Sequence, residues 1–369
     1  MSGRRLLQLL MMALSLCILS SQSNAAEDPV DSVAKASEFA VPTSPAFVLL
    51  GVTPSKVARP GFARDLNLEL ITKDDKIISD AAIDVQPVWL LGFANTSAAS
   101  YRNKSGFART ISTLGISLAT AEKDSTKSLS WAARLTPFRG WDPLTDETYS
   151  SRIRAALDYS PKDRYLTIRE AELEGDSSFI ARRSPVDTTG MANVKIELAE
   201  VRDLLKIIDA STAKRLQAID DSCRNRHWND TRVEIGFGQL FNYTSAQLDS
   251  VRFRSQGVGA WVTAGLGLGS RWYLSGQFKY DDSDRIPRRD WGANIRYANA
   301  NGGVFVEYIR VHSSDIHSNE LAYGGELRLS TQLFLEAGVR GTLDEDMNLH
   351  QWLPLVRVRF GNTLKTFKL

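Results

Sequence analysis

From Arg271 to Phe360 the chain switches between apolar and polar residues at a period of two. Leu321, Tyr323, Gly325, Leu327 and Leu329 alternate with Glu320, Ala322, Gly324, Glu326 and Arg328. After Ser330-Thr331 the beat resumes, with Leu333, Leu335, Ala337 and Val339 set against Gln332, Phe334, Glu336, Gly338 and Arg340. That period is the pleat of a β-strand with two unlike faces. Here the polar face carries charges on consecutive strands joined by very short turns. A membrane barrel reads this way, apolar toward lipid and polar toward its lumen.

The rest of the composition agrees. Arg4 and Arg5, the apolar stretch Leu6 to Leu19 and the small residues at Asn24-Ala25-Ala26 read as a signal peptide over 1–26. Beyond it no run of about 18 apolar residues occurs, which excludes a helical span. An exported chain without such a span can still cross a membrane as a closed barrel, because closure pairs every backbone donor and acceptor within lipid. The chain has 45 Lys+Arg and 43 Asp+Glu, and removing Arg4 and Arg5 with the signal makes the two equal. Nothing in that balance calls for nucleic acid. Cys17 lies in the signal peptide and Cys223 alone follows it, so no intramolecular disulfide is expected.

The expected fold is an all-β membrane protein: an antiparallel transmembrane β-barrel of about 12 strands with a mainly helical insertion. Residues 27–63 form a periplasmic leader. Its Phe47, Val48, Leu49, Leu50 and Val52 need burial, either as a plug in the barrel or as an ordered lead-in to the first strand. Residues 64–137 carry the first strands, at Arg64–Thr72, Ile83–Phe93, Gly106–Ala119 and Ser128–Pro137. Pro87 marks an irregularity in the second. Residues 138–230 are a charged insertion with helices at Asp146–Tyr159 and Asn193–Arg224, the latter striped by Ile196, Val201, Leu204, Leu205, Ile208, Leu216 and Ile219. Residues 231–361 carry the remaining strands, from Thr231–Tyr243 to Gln351–Phe360, and 362–369 form a tail. If both termini are periplasmic, Gly267–Ser270, Ala298–Gly302 and Ser330-Thr331 are short inner turns. Thr244–Val251, Asp281–Ile286, His312–Asn319 and Gly341–His350 are then longer outer loops, and the insertion is periplasmic.

The string SPAFVLLGVTPSKVARPGFARDL, residues 44–66, resembles the N-terminal part of a poorly characterised group of bacterial outer-membrane proteins. The resemblance implies a barrel in the bacterial outer membrane and transfers no functional residues. The expected partners are outer-membrane lipid, the barrel-assembly machinery and a periplasmic protein met through the insertion. The closing alternation of Val356, Val358 and Phe360 with Arg357 and Arg359 is similar to a terminal assembly signal, although further residues follow Phe360.

The inward positions collect charge. Arg134, Arg232, Arg271, Lys279, Arg296, Arg328, Arg340, Arg357 and Arg359 face Asp84, Glu234, Glu307, Glu326 and Glu336. Basic groups outnumber acidic ones, so the lumen reads either as a restricted pore with a mild anion preference or as a cross-braced, filled interior. A non-transport anchor or assembly component is the alternative function. Catalytic chemistry is poorly served. His227, His312, His317 and His350 are the only histidines, and His312 beside Ser313 and Ser314 is the sole local hint of a lipid hydrolase. His312 with His317, and Asp281, Asp282 and Asp284, read as solvated loops rather than metal ligands. No cofactor is expected.

Overall fold

In a computed structural model, twelve strands close into one antiparallel barrel. The structure describes residues 43–53, 55–57, 66–73, 76–89, 97–123, 126–157, 166–175, 188–243, 253–282, 287–299, 301–314, 317–329, 333–343 and 349–362. The signal peptide, most of the leader and the tail beyond 362 lie outside these residues, as do Leu91, Phe93, Asp284 and the Ser330-Thr331 turn.

The strands are β1 (Leu66–Lys73), β2 (Lys76–Val85), β3 (Gly115–Lys123), β4 (Thr126–Arg139), β5 (Arg232–Tyr243), β6 (Phe253–Leu268), β7 (Trp272–Asp281), β8 (Arg288–Asn299), β9 (Gly302–Ser313), β10 (His317–Arg328), β11 (Leu333–Leu343) and β12 (Leu349–Asn362). Each pairs with its neighbour in sequence, and β1 pairs with β12 from Leu66↔Asn362 to Thr72↔Val356. Alternation decides which face is which. On β7, Trp272 and Leu274 are exposed outside, whereas Tyr273, Ser275, Gln277 and Lys279 are buried inside. On β10, Leu327 is exposed and Glu326 is buried.

Aromatic pairs mark two levels on the outer wall. Trp272 and Tyr297 have ring centroids 4.9 Å apart, and Phe278 and Trp291 lie 4.4 Å apart. At ~3.3 Å per residue, Trp272 and Phe278 are on the order of 20 Å apart along the strand, close to the ~25 Å apolar band of a membrane barrel. Leu274 lies between them, 42% exposed. Leu274→Arg is expected to destabilise the folded barrel in bilayers by about 2–4 kcal/mol, measured by reversible urea unfolding. A loss near zero would mean that this face meets water.

The two irregular strands of the first half differ from their sequence patterns. β2 ends at Val85 rather than running to Phe93, and residues 87–89 form a helical turn. Pro87 has no N–H for the ladder, so the strand stops ahead of it. Trp89 is buried and packs on Tyr101, with centroids 5.5 Å apart. The expected strand Gly106–Ala119 is in its first part a helix. Two short helices, α2 (Ala98–Arg102) and α3 (Gly106–Ile111), are capped by Ser97 and Ser105, whose side chains accept from the N–H of Ser100 and Ala108. β3 begins only at Gly115.

Strands also run further than apolar alternation can show. β9 and β10 reach Ser313 and His317, so the expected His312–Asn319 loop is mostly ladder, with His312 opposite His317. Asp281 ends β7 and is buried rather than solvated in a loop. Polar residues extend these strands past the apolar band, where only backbone pairing identifies them. At the end assigned to long loops, only two or three residues separate Lys73 from Lys76, Lys123 from Thr126 and Ser313 from His317. Link length does not separate the two ends. The strand count does place the start of β1, the end of β12, the end of β4 and the start of β5 at one end.

Residues 147–223 form a second compact unit. It holds α4 (Glu147–Leu157), α5 (residues 166–175) and most of α6 (Thr188–His227), which extends the expected Asn193–Arg224 helix at both ends. Leu173 of α5 and Val201 of α6 are buried. Arg169 pairs with Glu197 at 2.7 Å, and Arg202 pairs with Glu174 at 2.6 Å. Tyr149 of α4 donates to Asp220 of α6 at 3.3 Å.

Candidate functional site: the barrel lumen

Residues 43–53 and 55–57 lie inside the barrel and reach wall residues on every strand from β1 to β11. The segment begins with α1 (Pro45–Leu50), a single short helix with Pro45 in its first turn, where a missing N–H costs nothing. Gly51 ends it in the left-handed region, φ 67°, and its N–H donates to the Phe47 carbonyl. Ala46, Phe47, Val48 and Leu49 are buried in an apolar cluster with Ile71, Ala82, Ala119, Ala132, Leu240 and Trp261, and Leu50 and Val52 pack against its edge. The wall is shaped to this segment. A Cβ on Gly259 would collide with Leu49 Cδ1, and one on Gly292 would collide with Val57 Cγ2.

Polar contacts fix the backbone of the segment. Ser44 N–H donates to Glu69 Oε1 at 2.8 Å, and Ala46 N–H donates to Ser117 Oγ at 2.7 Å. Ser130 Oγ donates to the Ala46 carbonyl at 2.9 Å, Arg134 Nη1 to that of Thr43 at 2.9 Å, and Lys279 Nζ to that of Leu49 at 2.7 Å. Arg340 donates to the carbonyls of Gly51 and Thr53. Glu307 holds the far stretch, accepting from Ser55 Oγ at 2.6 Å, Lys56 N–H at 2.7 Å and Val57 N–H at 3.0 Å. Lys56 Nζ reaches Glu320 at 2.7 Å.

Around the segment the wall charges pair with one another. Arg134 meets Asp84 at 2.7 Å and Glu234 at 3.6 Å. Arg357 bridges Glu69, at 3.6 Å, and Glu336. Arg359 lies 3.4 Å from Glu326 and 3.6 Å from Glu336, and Arg296 lies 3.3 Å from Glu326. Arg296 also sits over the Phe305 ring at 4.8 Å, and Arg328 over the Phe334 ring at 5.3 Å. Arg232 is buried on the same inner face. Exposure of Arg134, Glu234, Glu336, Arg357 and Arg359 is 0–1%. These side chains are enclosed almost entirely by protein.

Arg271 departs from the expected set. It lies in the turn before β7, exposed, and its guanidinium donates to the Tyr297 hydroxyl at 2.8 Å on the outer wall. A turn residue escapes the alternation that would have carried it inward. The wall also holds groups that sequence reasoning left out: the buried Glu69, Asp80, Asp281, Asp290 and indole of Trp261, and the half-buried Glu320. Glu69 was within reach, since it separates Leu68 from Leu70. With these carboxylates added and Arg271 removed, the excess of basic groups disappears.

His227, His312 and His317 stand apart from the lumen, and the side chain of His350 lies outside the described residues. His227 stacks on Trp141, with centroids 4.5 Å apart, and its Nδ1 lies 3.0 Å from Asp230. His312 faces out while Ser313 is buried on the inner side, so these two cannot act as a nucleophile and its base; Ser314, the other expected neighbour, is exposed. Among the described residues no three His, Cys, Asp or Glu side chains are grouped to hold a metal.

No protein-family model matches the chain, and no curated protein matches it in sequence. Among solved structures it is similar to the KdgM porin, at 6% identity over 80% of this chain and 98% of that one, TM-score 0.35. The CymD monoaromatic hydrocarbon channel is similar at 7% identity over 80% of this chain and 87% of that one, TM-score 0.32. The translocator domain of the autotransporter NalP from Neisseria meningitidis is similar at 8% identity over 82% and 90%, TM-score 0.27. Likenesses this distant carry no argument about activity. The assignment of a barrel rests on the strand register described above.

Proposed function

We propose that this chain is an outer-membrane barrel giving small solutes a restricted passage, held closed by residues 43–57. One observation carries the reading. The wall is lined with ionisable groups, as a water-filled channel would be, yet a separate segment lies within it, latched through backbone hydrogen bonds. Withdrawal of that segment would leave a polar interior. Since the wall charges are close to balanced, we propose weak charge selectivity in place of the anion preference that the sequence suggests.

Complete burial of Arg134, Glu336 and Arg357 favours a second reading, a permanently filled barrel that anchors a helical unit for an envelope partner. Exposed Ile168, Ile196 and Leu204 on that unit support it. Planar-bilayer recording separates the two. Glu307→Ala removes the acceptor for Ser55, Lys56 and Val57 and is expected to turn a quiet barrel into one with frequent conductance steps that scale with salt. A Glu307→Ala barrel as quiet as wild type would favour the anchor.

A further inference from the structure

We propose that the outer face of β8 to β10, at the barrel end away from the chain termini, binds the phosphate-bearing headgroup of a membrane lipid. The register sets a row of basic or protonatable side chains across three adjacent strands: Arg289 opposite His312, and His312 opposite His317. Arg310 stands one step below, opposite Trp291. All four are exposed, and their sequence neighbours Asp290, Ile309, Val311 and Ser313 are buried on the inner side. The two imidazole rings stack with centroids 4.4 Å apart.

Two independent features identify the ligand. The first is charge. Among the described residues, the outward positions of β7 to β10 include no Asp or Glu. Arg289 and Arg310 have no carboxylate partner there, and they stand on the diagonal of the β8–β9 ladder, where long side chains come within reach of each other. An anion between them would meet both, and the guanidinium fork fits a phosphate. The second is height. Trp291, 58% exposed, and Tyr308, 39% exposed, lie on the same strands just below the row. Trp and Tyr favour the membrane interface, so the cations stand where headgroups are. A lipid supplies both the phosphate and the acyl chains that the exposed aromatics below would meet.

The test uses the full chain purified in detergent, with native mass spectrometry as the readout and two lipids in competition. One is a diphosphorylated glycolipid and the other is zwitterionic phosphatidylcholine. Wild type is expected to prefer the phosphorylated lipid by at least about ten-fold. Arg289→Gln and Arg310→Gln should each lower the preference about five-fold, from about 1 kcal/mol per basic residue at a membrane surface. The fourfold variant with His312→Gln and His317→Gln should abolish it. A control pair, Lys127→Gln with Arg254→Gln, removes charge from other strands and should leave the preference intact. Three results would overturn the proposal: a preference that survives in the fourfold variant, one that falls equally in the control, or one erased by inorganic phosphate. The last would indicate a free-phosphate site. The single variants alter exposed side chains and keep the test valid should the fourfold variant fail to fold.

Discussion

Deletion of residues 43–57 is expected to turn a quiet barrel into a conducting one. The wild-type chain should show little current in planar bilayers if Phe47, Leu49 and the groups packed on them fill the lumen as their burial suggests. Without the segment, Lys279, Arg340, Glu307 and Glu320 lose their partners in it and line a wetted lumen. Steps should grow with salt, and reversal potentials should shift little between salts of different anion and cation size. Stability should fall at the same time. Phe47, Val48 and Leu49 are almost fully buried, and each such side chain contributes about 1.5–3 kcal/mol. A deletion variant that folds and stays silent would remove the passage reading and leave the anchor.

The second large effect is on folding. Arg357→Met keeps most of the side-chain volume but strips Glu69 and Glu336 of the cation between them. Breaking a buried pair from one side costs about 3–5 kcal/mol, because it leaves charge without compensation. In a water-filled interior the same substitution would cost far less, since water screens what is left. Urea unfolding of the variant in lipid therefore measures whether the lumen is dry. Adding Glu336→Gln to Arg357→Met should recover part of the loss, since one of the stranded carboxylates is then neutral. A cost for Arg357→Met below about 1 kcal/mol would mean that water reaches these groups after all.

How much of this was legible in the sequence follows from what each region packs against. β5 to β12 meet lipid on one side and a polar lumen on the other, so the alternation of Leu274 with Ser275, or Leu327 with Glu326, can be read directly. Where strands leave the apolar band the contrast fades, and His312, Ser313 and His317 were read as loop. Residues 87–89 and 97–111 owe their form to Pro87 and to the Ser97 and Ser105 caps, local devices with no long period. The lumen was partly legible. Its arginines fall on the polar parity of strong strands, but Trp261 does not. It is a large apolar residue on a polar face, and only the helix packed against it explains its presence. Arg271 failed for the opposite reason, as a polar residue one position outside its strand.

The seam between β1 and β12 joins residues almost three hundred positions apart, as in Leu66 with Asn362. Such long-range pairings form late, because the intervening chain must first be brought to order. No fragment lacking β12 can complete the ring, so a truncated product would present two unpaired strand edges to the membrane, where unsatisfied backbone groups are intolerable. Closure of the ring therefore waits on β12, the last strand in the order.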